Sequence, residues 1–579
     1  MFQDARSEVG RVQTSVTNNY KHMARLLAEG GAAGFFSRAS PLADPDTLGH
    51  PPGYPLFIAL VRAAGGDTDA ALQFAQFAAD SLAAVLVFLL AAELLSLCAA
   101  TVAGLLVALA PQFAWNSVLL LPDTLAVLPV LVAVYLVARA LRRPRLAAFV
   151  AAGALVGVSC WLRANALLLA PLLAAAAFVL FGKGVRTRYA LAVVCGAVVV
   201  VAPLTLRNAF VFGAFIPVSL GAGQTLLEGI ADYDGGRRFG IPATDLGIMR
   251  QEAEEFARPD YAETLFGPDA VARERRRLAR GREVIFSHPL WFASVMARRA
   301  ASMLRLERAR RVSTRPQITH APEVPAGARP AWGGAPAELL DGGGRMLSPS
   351  ASAALEGGAL RLAGDDSKDA PQFTSAAIPV EAGTDYLFDV AVVAERGRMS
   401  VGVTEGASGA TLASAMVEAP EAAATGGDAG GGQPFASLKI PFVSAGAGSV
   451  RLSFSNAPSD PPRPALRVGR APLYALGPAA HAWTRYPRLV VAGAQKLFIT
   501  AVMLPLALAG LLVLARDKKW RALVVLLAVP VYYLCVQSAL HTEYRYVLAV
   551  HYFLFAAAAA ALCRAGEKIV SGFGFRGSS

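Results

Sequence analysis

Five segments place acids, cations and hydroxyls where they could act on a substrate. In DPDTLGHPPGYPLFIAL (44–60), Asp44, Asp46, His50 and Tyr54 surround a turn pinned by Pro51, Pro52 and Gly53. In SVLLLPDTLAVLPVL (117–131), Asp123 follows Pro122 at a helix start within lipid-compatible sequence. A carboxylate at membrane depth is costly and by default functional, although Asp also caps helices well. Arg163 in CWLRANALLLAP and Arg207 in APLTLRNAFVFG each border an apolar helix. A guanidinium can grip a phosphate with two hydrogen bonds, or it can snorkel to lipid headgroups. HTEYRYVLAVH (541–551) packs His541, Glu543, Arg545 and Tyr546 into one hairpin, where a local Glu–Arg pair is the plain structural alternative. Together these groups describe an outward-facing cavity at headgroup level. Its cations would hold a lipid phosphate while a carboxylate takes a proton from an incoming hydroxyl.

The elements that must position them are membrane helices. Of 579 residues, 55% are hydrophobic and 17% charged, with a mean hydropathy of +0.46. An ordinary soluble enzyme carries roughly 25% charge. Low charge also argues against disorder, and the lack of a persistent heptad against a coiled coil. The chain has 54 Lys+Arg against 42 Asp+Glu, a net +12; in a membrane protein this excess sits in cytoplasmic loops, so no nucleic-acid partner is expected. The five cysteines, Cys98, Cys160, Cys195, Cys535 and Cys563, lie in or beside apolar runs without a CxxC pair and read as packing residues rather than disulfides or metal ligands.

Spanning helices of about 20 apolar residues are predicted near 76–96, 98–115, 122–141, 146–162, 164–182, 188–206, 489–515, 521–540 and 545–564. Four basic clusters then share one side: Arg139, Arg142, Arg143 and Arg145; Lys183, Arg186 and Arg188; Arg516, Lys518, Lys519 and Arg521; and Arg564 with Lys568. That side is the cytoplasm, and the five segments above face outward. The count also puts residues 1–75 outside, which predicts a further apolar helix upstream of Met1.

Residues 1–75 read as a first outer loop with amphipathic helices such as NNYKHMARLLAEGG, and 76–208 as membrane helices. Residues 209–319 read as an outer helical loop ending in an interfacial helix, 291–311. Across 320–480, short alternating runs (DYLFDVAVV, RMSVGVTE, SLKIPFV, SVRLSFS, ALRVGRAPLY) bounded by Gly and Pro predict an antiparallel β-sandwich. Residues 420–434 are a flexible loop within it. The last membrane helices occupy 485–565, and 566–579 form a cytoplasmic tail. The fold class is thus a polytopic α-helical membrane protein with an inserted β-sandwich.

The ordered set NYKHMARLLAEGG, LGHPPGYPLFIAL, LLLPDTLAVLPVL, WLRANALLLAPLL, PLTLRNAFVFGAFIPVS and HTEYRYVLAVHYF resembles the GT-C glycosyltransferases. The likeness is to the bacterial branch related to protein O-mannosyltransferases and lipid A aminoarabinose transferases (glycosyltransferase family 39-like), and it covers residues 15–225 and 485–565. It implies a polyprenyl-phosphate-linked sugar as donor, inverting transfer, and an active site on the periplasmic face of a bacterial inner membrane. In such enzymes an acid shortly before the Tyr of an N-x-Y-like segment serves as base or binds the acceptor. The matching positions here are Asn18 and Asn19, before Tyr20, and an amide cannot be a general base. Either Asp44 or Asp46 substitutes, or Asp123 does the work, or this copy is impaired. Asp123 matches the family's second acidic position, and His50 matches a cationic position near the lipid phosphate. Arg207 and the HTEYRY hairpin match segments bordering the donor cavity. A divalent metal accompanies some relatives, but the acids here are too few to call for one. The sandwich resembles carbohydrate-binding modules in strand pattern only.

The expected activity is transfer of a sugar from a polyprenyl-phosphate carrier to a lipid, glycan or protein acceptor. His50, Lys21, Arg163, Arg207 or Arg545 would hold the phosphate. Asp123, Asp46, Asp44 or Asn19 would serve the chemistry, and Tyr20, Tyr54, His541, Glu543 and Tyr546 would line the cavity. A lipid-linked sugar flippase would be expected to show two similar halves with broken helices at mid-bilayer, which the sequence lacks. A non-catalytic scaffold displaying the sandwich is the other alternative, kept open by Asn18 and Asn19.

Overall fold

The computed structural model describes residues 14–66, 68–234, 238–308, 314–341, 343–365, 370–419, 434–457 and 463–574. The expected loop 420–434 thus lies almost wholly outside the described residues. The chain divides into two compact units, Met1–Val312 with Gly493–Ser579, and Ser313–Ala492.

The first unit is helical. In chain order its helices are α1 (Thr14–Phe35), α2 (Gly53–Ala63), α3 (Asp69–Leu94), α4 (Leu97–Leu109), α5 (Pro111–Ser117), α6 (Asp123–Ala140), α7 (Leu146–Leu162), α8 (Leu169–Leu180) and α9 (Arg186–Phe212). Four more polar ones follow: α10 (Ala222–Asp234), α11 (Asp245–Glu255), α12 (Ala270–Ser287) and α13 (Pro289–Met303). The nine apolar runs predicted from sequence are mostly helical, but Leu146–Leu162 and Ala164–Leu180 form helices shorter than a full span. Among the described residues, five helices are long and apolar enough to cross a membrane: α3, α6, α9, Trp520–Ala539 and Tyr544–Val570. α4 and α5 form a further, broken apolar segment, bent by 55° because Pro111 stands at its break and supplies no amide hydrogen to continue the first helix. The run expected at 489–515 is likewise interrupted, as separate helices Arg485–Gln495 and Thr500–Arg516.

Small residues let the helices approach closely. Gly153 on α7 and Gly196 on α9 each lie against the other helix's backbone, where a Cβ would meet the carbonyl of Val193 or Val150. Such backbone-to-backbone crossings are how apolar helices pack in lipid, where the hydrophobic effect no longer drives association. The cysteine expectation fails for two residues: Cys98 on α4 and Cys563 near the other end of the chain form a disulfide across 465 positions. Spacing could not reveal it, because the helices that bring the two together are remote in sequence. Cys160 is buried, and Cys195 and Cys535 are exposed, all three as free thiols.

The second unit is an antiparallel β-sandwich. One sheet runs β1 (Arg345–Met346), β4 (Pro371–Thr374), β10 (Ser449–Asn456), β7 (Arg398–Glu405) and β8 (Thr411–Glu418), with β5 (Ile378–Pro379) also on β10. The other runs β12 (Leu473–Pro478), β6 (Thr384–Arg396), β11 (Ala465–Val468), β3 (Ala359–Ala363) and β2 (Ser352–Glu356), with β9 (Ala436–Val443) on β6. Burial alternates residue by residue along β10, as a strand with one face in a core requires. Phe373, Phe388, Phe442 and Phe454 fill the space between the sheets.

Candidate active site

Asp123 opens α6 and is 5% exposed. The loop before it is held from α3, where Gln73 donates to the Val118 carbonyl at 2.8 Å and Gln76 to the Ser117 carbonyl at 3.0 Å. Tyr54 of α2 donates in turn to Gln76 Oε1 at 3.0 Å. Arg163 ends α7, and the loop after it is pinned by Tyr532, which donates to the Asn165 carbonyl at 2.7 Å. α2 is seated on this same end, for a Cβ on Gly53 would run into the Trp161 carbonyl. Three turns of chain far apart in sequence are therefore fixed to one another before any functional group is counted.

At their meeting point Arg163 Nη1 lies 2.5 Å from Asp123 Oδ1, and Arg545 Nη1 lies 3.9 Å from Asp123 Oδ2. Arg545 also clasps Glu543 through both carboxylate oxygens, at 2.6 and 3.1 Å. The Tyr546 ring stands between the guanidiniums, with Arg163 4.1 Å and Arg545 5.1 Å from its centroid, a geometry in which the ring quadrupole eases the approach of two like charges. Tyr20, buried in α1, packs on His50 at 4.8 Å and on Tyr54 at 5.1 Å between ring centroids. Burial, and then the cations of Arg163 and Arg545, hold the His50 imidazole down to about 4. At neutral pH it is therefore an uncharged hydrogen-bonding group, where the sequence suggested a cation.

The other expected site residues are engaged elsewhere. Arg207 donates to the carbonyls of Phe35 at 3.1 Å and Leu42 at 2.5 Å and lies against the rings of Phe35 and Phe212; it ties α9 to the first loop. With His50 it borders a cavity of about 20 Å³, room for about one water. Lys21 pairs with Asp69 at 2.5 Å. Asp44 caps its own turn by accepting from the Asp46 amide at 2.9 Å, and Asp46 accepts from the Gly267 amide at 2.8 Å. Asn18 is exposed and Asn19 half-buried on α1. His541 contacts Asp232 of α10, Nδ1 to Oδ2 at 2.9 Å.

Two features escaped the sequence reading. On α3, Gln73, Gln76 and Asp80 form a buried polar stripe at helical spacing, and Asp80 accepts from Tyr552 at 3.4 Å. On α10, Gln224 donates to Asp245, and burial followed by a hydrogen bond to Asp245 pushes Glu228 up to about 9. Both stripes could have been found by asking which polar residues recur every three or four positions on one helix face. Among the described residues, no group of three or more His, Cys, Asp or Glu side chains is placed to hold a metal ion. The oxygens of Asp123 face two guanidiniums instead, so the cluster does not fit a divalent cation and no step is assigned to one.

Residues 49–206 match the family model described as dolichyl-phosphate-mannose-protein mannosyltransferase. No curated protein matches the chain. Among solved structures the chain is similar to the arabinosyltransferase EmbB from Mycobacterium smegmatis, with 13% identity and a TM-score of 0.22 over 80% of this chain and 65% of that one. It is also similar to the CBM22-1 xylan-binding domain of Xyn10C from Paenibacillus barcinonensis, with 11% identity and a TM-score of 0.20 over 26% of this chain and 97% of that one. With TM-scores this low, neither likeness bears on activity. The family match takes in the segments that carry His50, Tyr54, Asp123 and Arg163, and over that part the chain is similar to the dolichyl-phosphate-mannose-protein mannosyltransferases.

Proposed function

We propose that the chain moves a sugar from a polyprenyl-phosphate carrier to a hydroxyl of a lipid, glycan or protein acceptor, with inversion, on the periplasmic side of a bacterial inner membrane. The observation that carries this reading is the convergence of Arg163 and Arg545 on the buried Asp123, with Tyr546 between them. Asp123 and Arg163 stand at the ends of α6 and α7 opposite the basic cluster Arg139–Arg145. By the tendency of positive residues to stay inside, that basic cluster is cytoplasmic and Asp123 and Arg163 face outward on this reading.

The exposures suggest how a phosphate would bind. The Asp123 side chain is 4% exposed, whereas that of Glu543 is 45% exposed. An incoming phosphate can displace the exposed carboxylate from Arg545 and take over its two hydrogen bonds. Asp123 stays and keeps both guanidiniums aimed. As the bond to the anomeric carbon breaks, charge gathers on the phosphate, and positioned cations stabilise it most at that moment. Neutral His50 adds a hydrogen bond, not a charge. Purified protein incubated with a pool of labelled polyprenyl-phosphate sugars and an envelope extract tests the reading. Sugar leaving the lipid supports it; lipid moved between leaflets with its sugar intact overturns it.

A further inference from the structure

The transfer needs a group to take the acceptor's proton, and the carboxylates around the arginines are engaged. Asp123 and Glu543 face guanidiniums, Asp69 faces Lys21, and Asp44 and Asp46 hold backbone amides. Another acid stands close by. α10 is strung between the two site segments. The Leu220 amide just before it donates to the Leu48 carbonyl, two residues from His50, at 2.8 Å. The His541 amide, two residues from Glu543, donates to the Thr225 carbonyl at 2.7 Å. On the face between, Gln224 and Glu228 are 9% and 6% exposed, and both hydrogen-bond to Asp245, the exposed first residue of α11. The charge of Asp245 reaches His50, where it opposes Arg163 and Arg545.

We propose that Asp245, aimed by Gln224 and Glu228, is the base that accepts the proton of the acceptor hydroxyl. This rests on the glycosyl-transfer reading above. Its two buried partners are an amide and a carboxyl that burial biases toward the neutral form, so they orient the carboxylate without the quenching that a paired cation brings. In the step, the hydroxyl proton passes to Asp245 while the hydroxyl oxygen bonds to the anomeric carbon. The bond from that carbon to the phosphate oxygen breaks, and its electron pair leaves with the polyprenyl phosphate, beside Arg163 and Arg545. Asp245 then gives the proton to water.

The test uses the full chain, the labelled polyprenyl-phosphate sugar pool and an envelope extract as acceptor source, with fluorescent polyprenyl phosphate as a binding probe. Asp245→Asn should lower transfer by about 100-fold or more, as loss of a general base does, and leave retention of the probe within about 3-fold. Asp245→Glu should recover part of the rate. Glu228→Gln keeps a donor for Asp245 and should stay within about 5-fold of wild type, whereas Glu228→Ala should fall further. Wild-type transfer by Asp245→Asn overturns the assignment, as does a loss of probe binding as large as the loss of transfer. If the wild-type chain removes no sugar from any lipid, the glycosyltransferase reading fails and takes the assignment with it.

Discussion

Two arginine clusters in the helical unit use the same chemistry to opposite ends. In one, Arg273 and Arg277 of α12 share Glu252 of α11, with contacts of 2.7–2.9 Å. Both arginine side chains are essentially sealed, at 0% and 1% exposure, and further donors reach the carbonyls of Tyr261, Thr264, Leu265 and Gly267, though Arg277 Nη1 is buried without a hydrogen bond. In the other, Asp123 is sealed but Arg163 and Arg545 are 20% and 14% exposed, and the Oδ2 atom of Asp123 is buried without a hydrogen bond. The first cluster spends its donors on its own chain and fastens a fold. The second leaves its arginines partly open to solvent, as the proposed phosphate site requires. What separates a structural ion pair from a functional one is which partner remains open, not how many arginines take part.

The largest effect should come from breaking the fastening cluster. Glu252→Gln leaves two buried guanidiniums without their anion, and removing one partner of a buried pair costs about 3–5 kcal/mol. Thermal unfolding of the detergent-solubilised chain should report this, and a stability near wild type would dissolve the contrast between the clusters. Asp123→Asn should do the reverse. Arg163 and Arg545 keep access to solvent, so the stability loss should be smaller than for Glu252→Gln. Transfer should drop by about 10²–10³-fold, in the range for removing a preorganised charge-positioning group. Equal stability losses in the two variants would count against the assignment of Asp123 to the site.

Glu543→Gln sharpens the comparison further. If Glu543 merely fills the phosphate position until donor arrives, neutralising it removes a competitor. The rate should change by no more than about 3-fold, as for other exposed ion pairs, with the KM for donor lowered. A KM raised by 10-fold or more would make Glu543 a binding residue in its own right.

Much of the helical unit was legible because lipid leaves the backbone few choices: apolar runs must be helices. The sandwich strands were legible because Gly and Pro bracket runs whose period is two, as in SVRLSFS. Asp123 and Arg163 could be nominated because each is a charge at the end of an apolar run. Their partnership could not, because it depends on loops tied down by Gln73, Gln76 and Tyr532 from helices elsewhere in the chain. Arg207 looked equivalent to Arg163 in sequence. Only the placement of the Phe35 and Leu42 carbonyls shows that its donors are spent on the first loop. The pairing of Glu228 with Asp245 escaped because the two stand on different helices, α10 and α11, so no single helical spacing links them.

The smallest expected effect concerns His50 and also tests whether the two exposed arginines act on one spot. Burial and both guanidiniums lower its folded pKa to about 4, below the unfolded value of about 6.5. Between these values the unfolded chain binds the proton and the folded chain does not, so stability falls as pH drops from about 6.5 toward 4. His50 is half-buried, which trims the effect to on the order of 1–2 kcal/mol. His50→Gln should flatten that part of the pH–stability curve. Substituting Arg545 by Gln should flatten it partly, since one of the two cations that resist protonation is gone. Phosphate bound between the arginines should have the same sign of effect, raising the imidazole pKa toward its ordinary value. A curve that Arg545→Gln leaves unchanged would place Arg545 too far from His50 for the two to serve one phosphate, and the site would then centre on Arg163 and Asp123 alone.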